Sequence, residues 1–306
     1  MVENGYLPIA DDDDLDAEVG GFVPMKYKDL PTSKGNILEE FVKLVSMTTK
    51  VMYTSRGVLT NSFEELEDCA FSINFLDTIP VPTFTIGPFH KYGFAPPTSL
   101  WTQDRTCISW LDKHANESVL YISFGSLAQV TKAQFSEIAW GLVHNNQLFL
   151  WVIRPGLVLE LDDSCDMFSD GFMETVGDSG QIVKWAPQQE VLAHPAIGGF
   201  WTLSGWNSTL ESIAEGVPMI CTPNFVDQML NARFVSDVWK VGITLETGQL
   251  QRGVIKKTIR RLTVEKKGQE IKDRIQILKE KTYNCLIKGG SSYDSLEKLS
   301  SYILSS

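Results

Sequence analysis

The chain has 306 residues, 43% of them hydrophobic and 21% charged, with a formal net charge of −11. That length accommodates two domains with buried cores, and the hydrophobic content is ordinary for a globular protein. The acidic balance argues against nucleic acid or an anionic membrane as the main partner. The five cysteines, Cys69, Cys107, Cys165, Cys221 and Cys285, form no CxxC pair. This usage fits a reducing compartment with buried thiols and supplies no metal site. No basic stretch followed by an apolar core opens the chain, and no apolar run is long enough to span a bilayer. A cytoplasmic protein without membrane insertion is therefore expected, with the sequons at Asn116 and Asn207 unused.

Along the chain, Asp11–Asp14 with Asp16 and Glu18 form an acidic patch, read as a solvated loop. Residues 36–52 place Ile37, Phe41, Leu44 and Val45 at helical spacing. A short strand over 58–61 precedes the polar helical turn FEELE. The run TIPVPTFTIGPFHKYGFAPP reads as a strand leading into an inter-domain linker. VLYISF (119–124) has the pattern of a buried strand. Phe135, Ile138, Ala139, Leu142 and Val143 then lie on one side of a helix, and LFLWVI (148–153) is the next strand. Further strands are predicted near 182–184 and over 197–201, 217–221 and 241–245. Helices are predicted from Ser208, over 227–239, and at about 253–264, 268–287 and 293–304. The lysines and arginines of 256–281 are broken by Glu265, Glu270 and Asp273, which reads as a solvated helix face. Apolar strands alternating with helices predict an α/β fold with a parallel sheet covered on both faces.

Such a sheet binds ligands at the carboxyl ends of its strands, and chemistry-bearing residues fall there. Gly125-Ser126 follows the strand 119–124, as a phosphate cradle or as a plain turn. Gly205-Trp206-Asn207-Ser208 follows 197–201 and opens a helix, where free N–H groups form an anion site. Ser208 and Glu211 have the S-x-x-E spacing of a capping box, so Glu211 reads equally as a cap and as a carboxylate accepting from a ribose diol. Trp185 ends another strand, as a stacking platform for a base or as core. Asp227-Gln228 sits where sugar hydroxyls or a helix start would use it. No GxGxxG follows any predicted strand, which argues against a nicotinamide dehydrogenase.

Taken together in this order and spacing, residues 185–228, WAPQQEVLAHPAIGGFWTLSGWNSTLESIAEGVPMICTPNFVDQ, resemble the donor-binding signature of plant UDP-dependent glycosyltransferases of secondary metabolism. The resemblance extends to KDLP (28–31), LTNSFEELE (59–67), FTIGPFHK (84–91), SWLDK (109–113), YISFGS (121–126) and GGSSYDSLEKL (289–299). It looks nearest to the subgroup that glucosylates small plant hormones and defence metabolites. It implies a GT-B fold of two facing Rossmann-like halves. Residues 1–87 would then be the remnant of an N-terminal acceptor domain and 88–109 a linker. Residues 110–290 would be a complete UDP-sugar donor domain, and 291–306 a C-terminal helix packing back toward the N-terminal part.

The same resemblance assigns roles. Trp185 would stack on uracil, Ala186 would contact it through the backbone, and Gln188 would lie near the ribose. Glu211 would bind the ribose diol. Ser126, Asn207 and Ser208 would contact the diphosphate, and Trp206, Asp227 and Gln228 the sugar. A closing Gln is the glucose-type ending. The implied reaction is inverting transfer of a hexose from UDP-glucose to a small acceptor such as a phenolic, a hormone or a defence metabolite, with no metal and no cofactor. A general base must take the acceptor proton as the new bond forms.

Two departures qualify that expectation. The family has His where this chain has Leu203, in TLSGWNS rather than THCGWNS, and Ser204 replaces Cys beside it. Leucine has no donor for the diphosphate, so a weakened grip is expected; the alternative is that Leu203 is a plain core residue whose neighbours compensate. The family's general-base His lies just after the first strand of its N-terminal domain, and none of His90, His114, His144 and His194 matches that motif. No catalytic residue is assigned, and His194 reads as structural. Two functions stay open: a glycosyltransferase of impaired activity, and a non-catalytic remnant that binds UDP-sugar weakly or acts through partners. Uncovered sheet edges and apolar helix faces predict self-association.

Overall fold

The computed structural model describes residues 15–20, 25–30, 36–67, 79–93, 101–145, 147–159 and 171–305. Asp11–Asp14, Cys69, Cys165, the side chains of Ile37 and Phe41, and residues 94–100 of the expected linker lie outside the described residues. The chain divides into two compact units, Met1–Phe94 with Leu278–Ser306, and Ala95–Ile277.

The first unit pairs β1 (Val58–Thr60) in parallel with β2 (Thr83–Thr85). It also holds α1 (Asn36–Thr54) and α2 (Glu64–Glu67). The C-terminal helix, Ser291–Ser305, belongs to this unit through polar anchors. Ser292 Oγ donates to the Gly87 carbonyl at 2.7 Å, Ser291 Oγ to Glu65 at 2.8 Å, and the Tyr302 hydroxyl to the Arg56 carbonyl at 2.7 Å. Helical spacing correctly placed α1, yet Leu44 is 61% and Val45 46% exposed, alongside Met47 and Val51.

In the second unit, α3 (Thr106–Leu111) leads into β3 (Val119–Ser123), α4 (Lys132–Val143) and β4 (Leu148–Val152). Next come α5 (Phe172–Val176), β5 (Gly180–Val183), α6 (Gln188–Leu192) and β6 (Ile197–Thr202). Then follow α7 (Trp206–Glu215), β7 (Met219–Cys221), α8 (Gln228–Arg233) and β8 (Gly242–Thr244). The predicted helix 227–239 is α8 prolonged by a π-helical turn over Phe234–Val238. Helices α9 (Arg252–Thr263) and α10 (Lys266–Leu286) follow, and the C-terminal helix is α11. The second unit ends inside α10, at Ile277; from Leu278 on the helix belongs to the first unit, where Lys281 Nζ donates to the Glu65 carbonyl.

The six strands are all parallel, in the order β5-β4-β3-β6-β7-β8. Every residue of β3 and β6 is buried, as the near-continuous apolar runs predict for strands covered on both faces. Alternation divides the side chains between those faces. Leu120, Ile122, Phe149, Trp151 and Trp201 pack with Phe135, Ile138 and Leu142 of α4 and with Ile255, Ile259 and Leu262 of α9. On the other face Tyr121 stacks on Phe200 with ring centroids 5.0 Å apart. The described cysteines, Cys107, Cys221 and Cys285, are free and buried, and burial pushes the Cys221 thiol up to about 12.

At the start of the β3–β6 pair the register shifts between Val119 and Leu120. There a Cβ on Gly198 would stand 2.1 Å from the Glu117 carbonyl oxygen, a contact that only backbone movement relieves. Gly198→Ala is therefore expected to lower stability by about 1–3 kcal/mol. Urea unfolding followed by tryptophan fluorescence measures it, and an unchanged midpoint would refute the close approach.

Candidate functional site

The strand order changes direction between β3 and β6, so the chains leaving these strands diverge and open a crevice at the carboxyl edge of the sheet. On one side is the loop 124–128. Gly125 adopts φ +66°, in the left-handed region glycine tolerates, and a Cβ there would meet nothing within 4 Å. Ser126 beside it is exposed. On the other side residues 203–205 lead into α7, with Ser204 held at φ +62°.

Of the two readings of Glu211, the capping box with Ser208 is not formed. Gly205 is the N-cap of α7 and no side chain caps the helix. Trp206 is the first helical residue, so Ser208 and Glu211 lie too far inside for that motif. Glu211 instead accepts from Gln188 Nε2 at 2.7 Å and from Gln189 Nε2 at 3.0 Å. Gln188 Nε2 also donates to Ser208 Oγ at 3.0 Å, and the Tyr121 hydroxyl donates to Gln188 Oε1 at 3.3 Å. The start of α6 is thus tied to the first turns of α7. Two neutral amides hold the carboxylate, and an ionised carboxylate has about four lone-pair sites. Two remain for hydroxyl donors, which suits a vicinal diol.

A second cluster lies past β7. Asp227 precedes α8 but makes no cap; its Oδ2 accepts from Asn231 Nδ2 at 2.8 Å. The same Asn231 amide donates to the Ser204 carbonyl at 2.9 Å, which couples Asp227 to the β6–α7 loop. Gln228 is buried, and its Oε1 accepts from the Asn224 N–H at 2.9 Å. Trp185 is half-buried past β5, its carbonyl accepting from the Asp104 N–H at 2.8 Å, and Ala186 is buried next to it. The Trp206 ring lies 6.4 Å from that of Trp239, tilted by 45°, and Asn207 is exposed on the first turn of α7. The structure therefore joins Gln188, Ser208 and Glu211 directly, and Asp227 to the Ser204 loop. Ser126, Trp185 and Ala186 take their places from strand ends.

Three contributors escape a reading by motif: Gln189, Tyr121 and Asn231. The i,i+4 spacing of Asp227 and Asn231 was a usable signal. Tyr121 is indistinguishable by pattern from any buried strand residue.

Leu203 is 7% exposed and belongs to the α4/α9 side of the core, on the same face as Trp201 two residues earlier. It walls a small cavity of about 80 Å³ with Phe124, Ala128, Ile138, Thr222 and Asn224. His194 is committed to the framework. Its Nδ1 accepts from the Ala196 N–H at 3.2 Å, so the neutral ring carries its proton on Nε2, which faces Asp112 Oδ1 at 3.2 Å. Among the described residues no group of three or more His, Cys, Asp or Glu is arranged to hold a metal, and no helix is long and apolar enough to cross a membrane.

If the amide-held carboxylate binds a ribose diol, Glu211→Ala should weaken UDP binding by about 10- to 150-fold, the range for a lost charged hydrogen bond. Pyrophosphate binding should stay unchanged. Titration calorimetry with both ligands decides, and equal loss for the two would exclude a ribose role.

Residues 103–273 match the family model described as UDP-glucoronosyl and UDP-glucosyl transferase. The chain is 46% identical to UDP-glycosyltransferase 76B1 of Arabidopsis thaliana, over 99% of this chain and 67% of that protein. It is 48% identical to UDP-glycosyltransferase 76G1 of Stevia rebaudiana, over 99% and 64% respectively. Its structure matches, with a TM-score of 0.80 and 30% identity, that of a UDP-glucosyltransferase from Polygonum tinctorium capable of glucosylating indoxyl, covering 95% of this chain and 64% of that one. The chain thus spans about two thirds (67% and 64%) of the length of the two sequence relatives. With its doubly covered parallel sheet and its strand-end crevice, it belongs to the UDP-glucoronosyl and UDP-glucosyl transferase family, of GT-B fold.

Proposed function

We propose that the second unit binds a UDP-sugar, UDP-glucose first among them, for inverting transfer of the hexose to a hydroxyl or amine of a small aromatic acceptor. The observation that carries this reading is Glu211, an ionisable carboxylate held by Gln188 and Gln189 beside Ser208 at the crevice. Trp185 and Ala186 would hold uracil, Gln188 and Glu211 the ribose, and Ser126, Asn207 and Ser208 the diphosphate. Trp206, Asp227 and Gln228 would hold the hexose. The acceptor oxygen or nitrogen bonds the anomeric carbon as the bond from that carbon to the diphosphate oxygen breaks, and the acceptor proton goes to a general base that is not among the residues assigned to this site. Charge then builds on departing UDP, where the N–H groups opening α7 and those of the 125–126 loop stabilise it. The names of the relatives support this reading, and the indoxyl acceptor of the Polygonum tinctorium enzyme supports an aromatic acceptor.

Leu203 favours a second reading, a weak UDP-sugar binder without turnover. Its side chain packs into the core and offers the diphosphate no hydrogen bond. A hydrogen bond to a charged group contributes about 1.5–3 kcal/mol, so if an imidazole at 203 reaches the crevice through the cavity this residue walls, Leu203→His should tighten UDP binding by about 10- to 150-fold, and unchanged binding would show that the side chain at 203 stays in the core. Burying an imidazole beside Phe124 and Ile138 should lower stability by about 1–3 kcal/mol. UDP release from UDP-glucose with a panel of phenolic and hormone acceptors separates the readings. Turnover by the unmodified chain sinks the second. Silence from both proteins, with UDP binding retained, sinks the first.

The exposed Leu44, Val45, Met47 and Val51 of α1 support self-association of this polypeptide. Sedimentation velocity at micromolar concentration should show oligomers, and a sharply monodisperse monomer would count against it.

A further inference from the structure

Arg154 follows β4, next to β3 in the sheet, and only 7% of it is exposed. Its guanidinium donates from Nε to the Gly125 carbonyl at 3.0 Å, from one terminal nitrogen to the Pro155 carbonyl at 3.0 Å, and from the other to the Ala128 carbonyl. Every one of these acceptors is a neutral backbone oxygen. No described carboxylate forms an ion pair with Arg154. A buried cation without an anion costs stability, and neutral donors would satisfy three carbonyls without that cost. Among the described residues this charge meets no anion, which leaves it available to a bound one.

The geometry says where that anion sits. In a trans peptide the N–H points opposite to the C=O. With the guanidinium on the Gly125 carbonyl, the Ser126 N–H points away from Arg154. Polarising that carbonyl also makes the amide a stronger donor. The charge lies about 5 Å behind that N–H, one peptide width plus a hydrogen bond. The space in front of Gly125 is open, since a Cβ there would meet nothing within 4 Å. In a chain of net charge −11, a fixed cation at this point offsets the repulsion an incoming diphosphate would meet.

We infer that Arg154 is a positioning residue for the donor diphosphate: from behind the 125–128 loop it aims the Ser126 amide into the crevice and supplies the site with a fixed positive charge. This rests on the donor-site reading above, which assigns the crevice to a UDP-sugar.

The test compares UDP with uridine, which lacks the diphosphate, on the unmodified chain, Arg154→Met and Arg154→Lys, by titration calorimetry at low and high salt. Arg154→Met is expected to weaken UDP binding by about 10- to 100-fold while uridine binding changes less than about two-fold, because only the diphosphate feels the lost charge. Arg154→Lys keeps the charge without the fork, so it should retain more of the preference for UDP than Met does. It also preserves the test if the Met variant fails to fold. Equal weakening of UDP and uridine in either variant, or no weakening in either, overturns the inference and leaves the donor site standing. A chain that binds neither ligand fails at the donor-site reading itself, and the inference falls with it.

Discussion

The parallel pairing of β3 with β6 is the constraint on which the rest of the second unit depends. Seventy-odd residues separate the two strands in sequence, yet they form the centre of the sheet and every residue of each is buried. Because β4 and β5 extend the sheet on one side of this pair and β7 and β8 on the other, the loops after β3 and β6 turn away from each other. Parallel strands also send all their carboxyl ends to one edge. The loop 124–128, residues 203–208 and the segments holding Trp185 and Asp227 therefore emerge on a common edge.

On that edge the fold itself fixes several polar groups in place. Glu211 is fixed by two amides on α6, and Gln188 is itself braced by Ser208 and by the buried Tyr121. Asn231 does similar work for Asp227, since one amide nitrogen bridges its carboxylate and the Ser204 carbonyl. Ordering these side chains in the free protein removes an entropic cost from binding. Amides rather than lysines or arginines hold both carboxylates, so their negative charge is left available to hydroxyl donors.

Leu203 and Arg154 show how the sheet divides core from crevice. Strand alternation places Leu203 on the α4/α9 face with Trp201, so an apolar side chain there is well packed and contributes to the core while giving the crevice nothing. Arg154 faces the same region from the neighbouring loop and spends its hydrogen bonds on loop carbonyls. In the donor-site reading, the grip on a diphosphate would then fall on backbone N–H groups and on charge placed behind them.

How much of this was legible in the chain follows from the range of the forces involved. Period-two and period-3.6 patterns are local, so strands such as LFLWVI and helices such as α4 and α9 lay open to reading within a residue or two. So did the order of chemistry-bearing residues at the strand ends, which marked the family. Local spacing misled where a distant group won. Ser208 and Glu211 have the spacing of a cap, but α7 begins at Gly205 and the partners of Glu211 come from α6, more than twenty residues upstream. Nor could pattern assign α10 to two units, or the loop carbonyls to Arg154. By itself the sequence determined the parallel α/β sheet and which residue types arrive at its carboxyl edge. Tertiary structure alone decided which of them touch, and that Leu203 belongs to the core, because hydrogen-bond partners and strand faces depend on packing between segments far apart in the chain.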